Sequence, residues 1–157
     1  MDYIREDVSI REVILSGGDP LLAADTVLAE FIKQLESIPH VSTVRFHTRI
    51  PIVLPERINQ NLLTLLANTA LRKVIVLHCN HPQEINAQVK EICILLRAVG
   101  CHLLNQSVLL KNVNDNAETL AKLSESLLDC GVLPYYLHVM DKVAGAAHFD
   151  IDKTNPP

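Results

Sequence analysis

The amino-acid sequence predicts an α/β fold with about five parallel strands and four helices, in a single domain over residues 1–157. Short apolar runs alternate with longer segments of helical periodicity, and the apolar runs are mostly continuous rather than alternating in polarity. The strand–helix unit recurs about every 30 residues without close sequence repetition, which is typical of a βα array. Such a chain forms either a doubly wound open sheet or part of a (β/α) barrel, and the pattern leaves both open.

Five segments are predicted as strands because they are short and rich in Val, Ile and Leu. They are Glu12–Ser16, Thr43–Thr48, Lys73–Cys79, His102–Leu110 and Pro134–Met140. Continuous apolar runs of this kind favour parallel strands that are covered on both faces.

Four helices are predicted between the strands from apolar residues at helical spacing. The apolar positions are Leu28, Phe31, Ile32, Leu35 and Ile38 in the first; Ile58, Leu62, Leu65 and Leu66 in the second; Ile85, Val89, Ile92, Leu96 and Val99 in the third; and Leu120, Leu123, Leu127 and Leu128 in the fourth.

Boundary residues agree with these helices. Pro55 and Pro82 are expected in first helical turns, where proline is tolerated. Asp115 is expected to cap the fourth helix, with Glu118 as the carboxylate at the third position. Gly100 and Gly131 each follow an apolar helix end and precede a strand, as helix C-caps do.

Composition excludes several classes of protein. Hydrophobic residues make up 48% and charged residues 20% of the chain, which is typical of a packed domain and not of a disordered one. The net charge is −4 without a basic cluster, so no nucleic-acid partner is expected. The apolar run Val74–Cys79 is far short of a membrane span, so no membrane association is expected.

The cysteines indicate a reducing compartment. The chain has four, at positions 79, 93, 101 and 130, and none forms a C-x-x-C pair. The segment Met1–Val8 has no apolar signal core. We therefore expect a cytoplasmic protein with free thiols and without a metal site. Cys93 falls in a helical apolar pattern and is expected in the core.

Polar residues gather where the predicted strands end. They are Ser16, Gly17, Gly18 and Asp19; His47, Thr48 and Arg49; His78, Cys79, Asn80 and His81; Asn105, Gln106 and Ser107; and His138 with Asp141. Both candidate folds bind ligands outside the carboxyl ends of their strands. Five strand ends of this kind favour a ligand site over polar residues that merely begin loops.

Individual residues allow two interpretations. Gly17 and Gly18 permit positive φ angles and close approach of backbone amides to a ligand, or simply form a tight turn. Arg49 suits a carboxylate or phosphate, or an ion pair with a loop acid. His78 and His81 are a weak metal pair, because imidazoles at such positions on a strand point to opposite faces.

Five ordered segments resemble the lysine 2,3-aminomutase family of radical S-adenosylmethionine enzymes. They are Val13–Leu21; Thr48–Pro51 with Pro55–Ile58; His78–Pro82; Asn105–Asp115; and Pro134–His138, which continues into Asp141–Phe149. The residue sequence of His138–Phe149 is most similar to that of the branch that modifies elongation factor P by β-lysylation.

The resemblance implies a partial (β/α) barrel to which this chain supplies the later strands. It also implies an isomerase that moves the amino group of lysine from carbon 2 to carbon 3. The cofactors implied are S-adenosylmethionine, a 4Fe-4S iron–sulfur cluster and pyridoxal phosphate, which carry the difficult chemistry. The implied partners are lysine and proteins of the elongation factor P pathway, and a homo-oligomer is one expected assembly.

The resemblance also implies roles for individual residues. Ser16, Gly17, Gly18 and Asp19 would hold the aminoacyl end of S-adenosylmethionine. Its carboxylate, ribose or adenine would contact Arg49, His78, Gln106 and Asn105. Tyr136 and His138 would line the pyridoxal phosphate pocket, although the family often has tyrosine at the position of His138. Asp141 would pair with an ammonium group of the substrate.

Two features of the family do not occur in these 157 residues. The C-x-x-x-C-x-x-C cluster motif is expected before Val13, and the lysine that binds pyridoxal phosphate is expected beyond Pro157. We therefore expect a fragment of the enzyme that does not turn over by itself. The alternative is an inactive barrel fragment that serves as a ligand-binding or protein-binding module.

Overall fold

A computed structural model describes residues 1–141, 145 and 147–149, and these contain five parallel strands. The strands are β1 (Glu12–Leu15), β2 (Thr43–Thr48), β3 (Arg72–His78), β4 (Cys101–Leu109) and β5 (Leu133–Val139). The predicted strands are confirmed, and each predicted end lies within one residue of the observed end.

Six α-helices are described rather than the four that were predicted. They are α1 (Asp2–Glu6), α2 (Asp25–Glu36), α3 (Ile50–Val53), α4 (Gln60–Asn68), α5 (Ala87–Ala98) and α6 (Ala117–Asp129). Single 3₁₀ turns occur at Pro20–Leu22, Pro55–Arg57, Pro82–Glu84 and Ala147–Phe149. The two additional helices, α1 and α3, have five and four residues, too few for a periodic pattern to be recognised.

The helix starts differ from the predicted ones. Pro55 and Pro82 open the 3₁₀ turns, and helices α4 and α5 begin later, after the caps Asn59 and Asn86. The predicted cap Asp115 was wrong, because the side chain of Asn116 accepts the Thr119 N–H at 2.9 Å. Three helices therefore share an asparagine cap, which satisfies one of the unpaired N–H groups at a helix start.

The strand order distinguishes the two folds that the apolar pattern left open, and it confirms the partial barrel that the resemblance implied. The strands follow one another as β1-β2-β3-β4-β5, so each new strand joins the same edge of the sheet. Right-handed crossovers repeated in one direction place every connecting helix on the same face of the sheet. A doubly wound sheet would require the order to reverse. The described chain is therefore a partial (β/α) barrel.

The helices cover one face of the sheet and build the core there. Along β2 and β3, alternate residues such as Val44, Phe46, Ile75 and Leu77 are at most 1% exposed and pack in the apolar cluster with the helices. Cys93 on α5 belongs to the same cluster, as predicted. The other residues of the strands point to the opposite face, which carries no connecting helix and which we call the open face.

The two edges of the sheet differ in burial from its centre. All seven residues of β5 are exposed, including Leu133, Leu137 and Val139. Ile14 on the other edge strand, β1, is also half exposed. None of the helices described in residues 1–149 combines the length and apolar character that a membrane span needs.

The glycines that end α5 and α6 provide a test of the fold. Gly100 and Gly131 have φ of +83° and +69°, as C-cap glycines do, and this confirms both predicted caps. A methyl group at Gly131 would also collide with the guanidinium of Arg97, whereas at Gly100 it would lie 3.4 Å from Lys73 Nζ. We expect Gly100→Ala and Gly131→Ala each to lower the free energy of unfolding by about 1 kcal/mol or more, because both positions have a positive φ and the end of the exposed Arg97 side chain can move away from a methyl group at little cost.

Urea denaturation followed by circular dichroism would measure both values. Arg97→Ala is the control and should leave the Gly131→Ala loss unchanged. A loss for Gly131→Ala well above that for Gly100→Ala, and reduced by Arg97→Ala, would contradict this expectation.

Candidate functional site

A row of polar side chains crosses the open face at the carboxyl ends of three strands. His78 of β3 pairs with Gln106 of β4, and Gln106 pairs with Tyr136 of β5. Residues in register on parallel strands point to the same face. The structure therefore brings together three of the predicted site residues, and all three are at least partly accessible.

His78 carries an unsatisfied polar atom in this row. Its Nε2 is buried and has no hydrogen-bond partner among the described residues. Its ring contacts that of His47 of β2 with the centroids 5.9 Å apart and the planes at 77°. Burial lowers the pKa of His78, and the neighbouring charge of His47 lowers it further. The shift favours the neutral ring, whose buried Nε2 is left unsatisfied by the described residues.

An irregularity in β5 brings two tyrosines to the site. The register skips Tyr135 between Pro134 and Tyr136, so one extra residue of β5 lies opposite β4. The rings of Tyr135 and Tyr136 are 4.1 Å apart, and the ring of His138 follows at 5.2 Å from Tyr136. These three exposed rings form an aromatic surface beside the row of His78, Gln106 and Tyr136.

Arg45 lies deeper on the open face and was not selected from the sequence. Its guanidinium donates to Glu12 Oε1 at 2.9 Å and lies 5.9 Å from the ring centroid of Tyr135. The ion pair joins β1 to β2, and the cation–π contact reaches across the open face to β5. Glu12 thereby balances the charge of Arg45 on the open face of the sheet.

The loop after β1 places the predicted glycines at the same edge. Gly17 and Gly18 have φ of +86° and +54°, which glycine adopts readily, and both are exposed together with Ser16. The side chain of Asp19 is hydrogen-bonded to other residues of the chain. Its carboxylate accepts the Thr48 hydroxyl at 2.6 Å and the Arg49 N–H at 2.7 Å, and so fastens this loop to the end of β2.

Arg49 forms an ion pair with a loop acid, which was one of the two roles predicted for it from the sequence. Its Nη2 donates to Glu84 Oε2 at 2.7 Å, and its side chain is about half exposed. Glu84 Oε1 in turn accepts the N–H groups of Asn80 and His81 at 2.7 and 2.9 Å. The guanidinium is thus held at the edge of the site while part of it stays accessible.

Asn105 is 1% exposed and lies on the helix-covered face, unlike its neighbour Gln106. Its Oδ1 accepts the Cys79 N–H at 3.0 Å, and its Nδ2 donates to the Cys79 carbonyl at 3.0 Å and to Ser107 Oγ at 2.8 Å. Both the oxygen and the nitrogen of the Asn105 amide are therefore hydrogen-bonded within the chain. Asn105 holds the end of β3 against β4, and its predicted contact with a ligand stays a prediction.

Asn114 likewise holds a strand end in place, in the loop after β4. It is fully buried, and its Nδ2 donates to the carbonyls of Asn80 and Val108 at 2.8 and 2.9 Å. Its Oδ1 accepts the Leu110 N–H at 2.7 Å. The loop after β4 is thus tied to the loop after β3.

The described cysteines do not form a site. All four are buried and unpaired as disulfides. Burial raises the pKa of the Cys79 and Cys93 thiols to about 12 and of Cys101 to about 11. Within the described residues no three His, Cys, Asp or Glu side chains are grouped to hold a metal ion. His81 caps the Pro82 turn with its Nδ1 instead of pairing with His78.

Asp141 lies just beyond β5 and is exposed. It stands at the carboxyl edge to which the other strand ends contribute, and its predicted role stays a prediction. The resemblance continues from Asp141 to Phe149, where residues 142–144 and 146 lie outside the described part of the chain.

Strand alternation divides the predicted polar residues into two groups, and this division was missed in the sequence. Thr48, Cys79, Asn105 and Ser107 point to the helices and are buried, whereas His47, His78 and Gln106 point to the open face. The period of two along each strand was the available signal. It would have selected His47 and Arg45 once the covered face was known.

Comparison with known proteins identifies relatives along most of the chain. No protein-family model matches it. It is 54% identical over 149 residues to an L-lysine 2,3-aminomutase of Haemophilus influenzae and 50% identical over 149 residues to that of Escherichia coli. It is also 39% identical over 150 residues to a glutamate 2,3-aminomutase of Clostridioides difficile.

These matches confirm the resemblance found in the sequence. The first two alignments cover 95% of this chain but 44% of each relative, and the third covers 96% and 35%. The chain therefore spans less than half the length of the relatives it matches.

Asn105 and Gln106 are adjacent in sequence and provide a matched pair of variants. Asn105→Ala leaves the buried N–H of Cys79 without its side-chain partner and removes one of two donors to the Cys79 carbonyl, to which Ser107 Oγ still donates at 2.7 Å. This should lower the free energy of unfolding by about 1–3 kcal/mol. Gln106→Ala removes an amide for which no hydrogen bond is described, and the change should stay within about 0.5 kcal/mol. Urea denaturation measures both. A loss for Gln106→Ala as large as that for Asn105→Ala would contradict the assignment of the two faces.

Proposed function

Since this chain is homologous to the lysine 2,3-aminomutases over 95% of its length, we propose that it forms part of the reaction chamber of an aminomutase that converts L-lysine to β-lysine. The observation that carries the proposal is the polar row His78, Gln106 and Tyr136 on the open face. A barrel enzyme binds its substrate at this end of the strands.

The residues at this edge fit S-adenosylmethionine. The free Nε2 of His78 and the amide of Gln106 can bond to polar atoms of its nucleoside. The exposed backbone of Gly17 and Gly18 can approach its aminoacyl end without obstruction, because a Cβ at either position would meet nothing within 4 Å. When bound, S-adenosylmethionine supplies the hydrogen-abstraction chemistry of the family.

Asp19, Arg49 and Asn105 contribute to this edge in a different way. Their side chains are bonded to the strand ends, so we propose that they hold the loops that bind the ligand. The accessible part of Arg49 is also suited to a carboxylate of the ligand.

The aromatic surface of Tyr136 and His138 fits the planar ring of pyridoxal phosphate. The two rings are 5.2 Å apart and exposed on the open face, so a heteroaromatic ring can stack against them. When bound, pyridoxal phosphate stabilises the migrating amino group in this family. We assign its covalent attachment to no lysine of the described residues.

The residues described here do not fit an iron–sulfur cluster. Such clusters are held by several closely placed thiolates, whereas these four thiols are buried and Cys79, Cys93 and Cys101 have strongly raised pKa values. We therefore assign no cluster ligand to this chain.

Asp141 is proposed to pair with an ammonium group of the substrate. Its carboxylate suits lysine, which carries a second ammonium group, better than glutamate, whose side chain has the same charge as Asp141. This favours a lysine substrate, although a relative named glutamate 2,3-aminomutase also matches the chain. From the residue sequence of His138–Phe149 we further propose that the β-lysine is used to modify elongation factor P.

Binding of S-adenosylmethionine tests the first part of this proposal. His78→Ala removes the free nitrogen, and we expect the dissociation constant to rise about tenfold, as for one lost hydrogen bond. Isothermal titration calorimetry on the 157-residue chain measures it. The matched control is His102→Ala, which removes an exposed histidine of β4 from a row nearer the amino ends of the strands. Equal affinities of wild-type protein and His78→Ala would contradict the proposed site.

Activity is best tested in a chimera in which this chain replaces the matching segment of the Haemophilus influenzae relative. We expect the chimera to form β-lysine and Asp141→Asn to reduce turnover at least about tenfold, because a charge-assisted bond contributes roughly 1.5–3 kcal/mol. Asp129→Asn, an exposed acid at the end of α6, is the control. A folded chimera without β-lysine formation would favour the binding-module alternative, and unchanged turnover in Asp141→Asn would remove Asp141 from the site.

A further inference from the structure

His47 lies in the proposed site although the resemblance assigns it no role. It is on β2 at the level of Val76, and His78 follows two residues further along β3. The centroid distance of 5.9 Å and the interplanar angle of 77° are those of an edge-to-face contact. Because Nε2 of His78 has no partner in the described chain, the contact with His47 is the interaction that orients the free nitrogen.

The two arginines near the rings are each paired with an acid. Arg45 is paired with Glu12 at 2.9 Å, and Arg49 is paired with Glu84 at 2.7 Å. The titratable and charged groups facing the pair are Glu12 on β1, Asp19 in the next loop, Arg45 on β2, Arg49 after β2, and Tyr135, Tyr136 and His138 on β5. Protonation of the histidines would add positive charge, and Asp19, whose carboxylate accepts the Thr48 hydroxyl and the Arg49 N–H rather than pairing with a cation, offsets part of it at His78.

We propose that His47 is a positioning and specificity-determining residue, which fixes the ring of His78 and forms with it an uncharged pair that admits a cationic ligand of the sulfonium class. The ligand part rests on the proposed binding of S-adenosylmethionine. The contact between the two rings does not rest on that proposal, because it is present in the chain without a ligand.

The electrostatics of the two rings support this role. Burial lowers the pKa of His47, and the charge of Arg45 lowers it further. Burial also lowers the pKa of His78, and the charge of His47 is the next cause. Both pKa values lie below the ordinary value of His, so both rings are neutral near pH 7 and take up protons only as the pH falls further. Protonation then places like charge beside a cationic ligand and weakens its binding.

Two ligands that differ in charge at sulfur test the specificity. S-adenosylmethionine carries a sulfonium, and S-adenosylhomocysteine has the same nucleoside and aminoacyl groups with an uncharged thioether. We expect the dissociation constant of the sulfonium ligand to rise at least about tenfold between about pH 7 and pH 5, and that of the thioether to rise much less. Calorimetry on the 157-residue chain measures both. An equal pH dependence for the two ligands would overturn the charge argument.

The variant His47→Phe keeps an aromatic ring at the contact and removes its proton. The pKa of His78, followed by NMR of its ring protons, should then rise toward the ordinary value, and the sulfonium ligand should lose part of its pH dependence. The control His102→Phe should leave both unchanged. A His78 pKa that does not respond to His47→Phe would overturn the pairing.

The NMR titration needs no ligand, so it separates this inference from the proposed function. If His78 responds to His47→Phe but neither ligand binds at either pH, the proposed function and the ligand part fail together while the positioning role stands. If both ligands bind and His78 does not respond, the positioning role fails and the proposed function stands.

Discussion

The carboxyl edge of the sheet depends on polar side chains, buried or half-buried, that satisfy the backbone of the strand-end loops. Parallel strands end in loops whose N–H and carbonyl groups have no ladder partner, and an unpaired buried group costs about 1–3 kcal/mol. Asp19 fastens the loop after β1 to the end of β2, and Glu84 bonds the loop after β3 and holds Arg49. Asn105 and Asn114 continue these bonds to β4. These bonds fix the loops that flank the candidate ligand contacts on β1 to β4.

The residues that hold the loops are therefore different from the residues that face the candidate ligand. The side chains that hold the loops point to the helix-covered face or into the loops, whereas His47, His78 and Gln106 stay on the open face with their polar atoms largely uncommitted. Because the two sets alternate along the same strands, each binding residue is flanked by residues that are locked in place. A rigid site on strands needs this kind of adjacent support.

The open face also differs from the interior of a packed barrel. In a closed barrel without a ligand cavity, branched apolar side chains fill the interior. Here Val74 and Val76 occupy the centre of β3, but ion-paired Arg45, two neutral histidines and exposed tyrosines surround them. A polar and charge-balanced surface of this kind suits a large polar ligand or cofactor better than dense side-chain packing.

The sequence by itself determined the strand positions, the parallel α/β class, the glycine C-caps and the relationship to the lysine 2,3-aminomutases. These depend on local apolar runs, on backbone angles that only glycine adopts easily, and on ordered motifs such as His78–Pro82. From its apolar pattern the sequence could not distinguish the two βα folds, because strand order is a long-range property, although the resemblance implied the partial barrel. It also could not show that Asn105 is occupied by Cys79 while its neighbour Gln106 is free, or that His47 contacts His78. Only the tertiary structure decided these points, since which face of a strand the helices cover depends on the direction in which the whole chain winds.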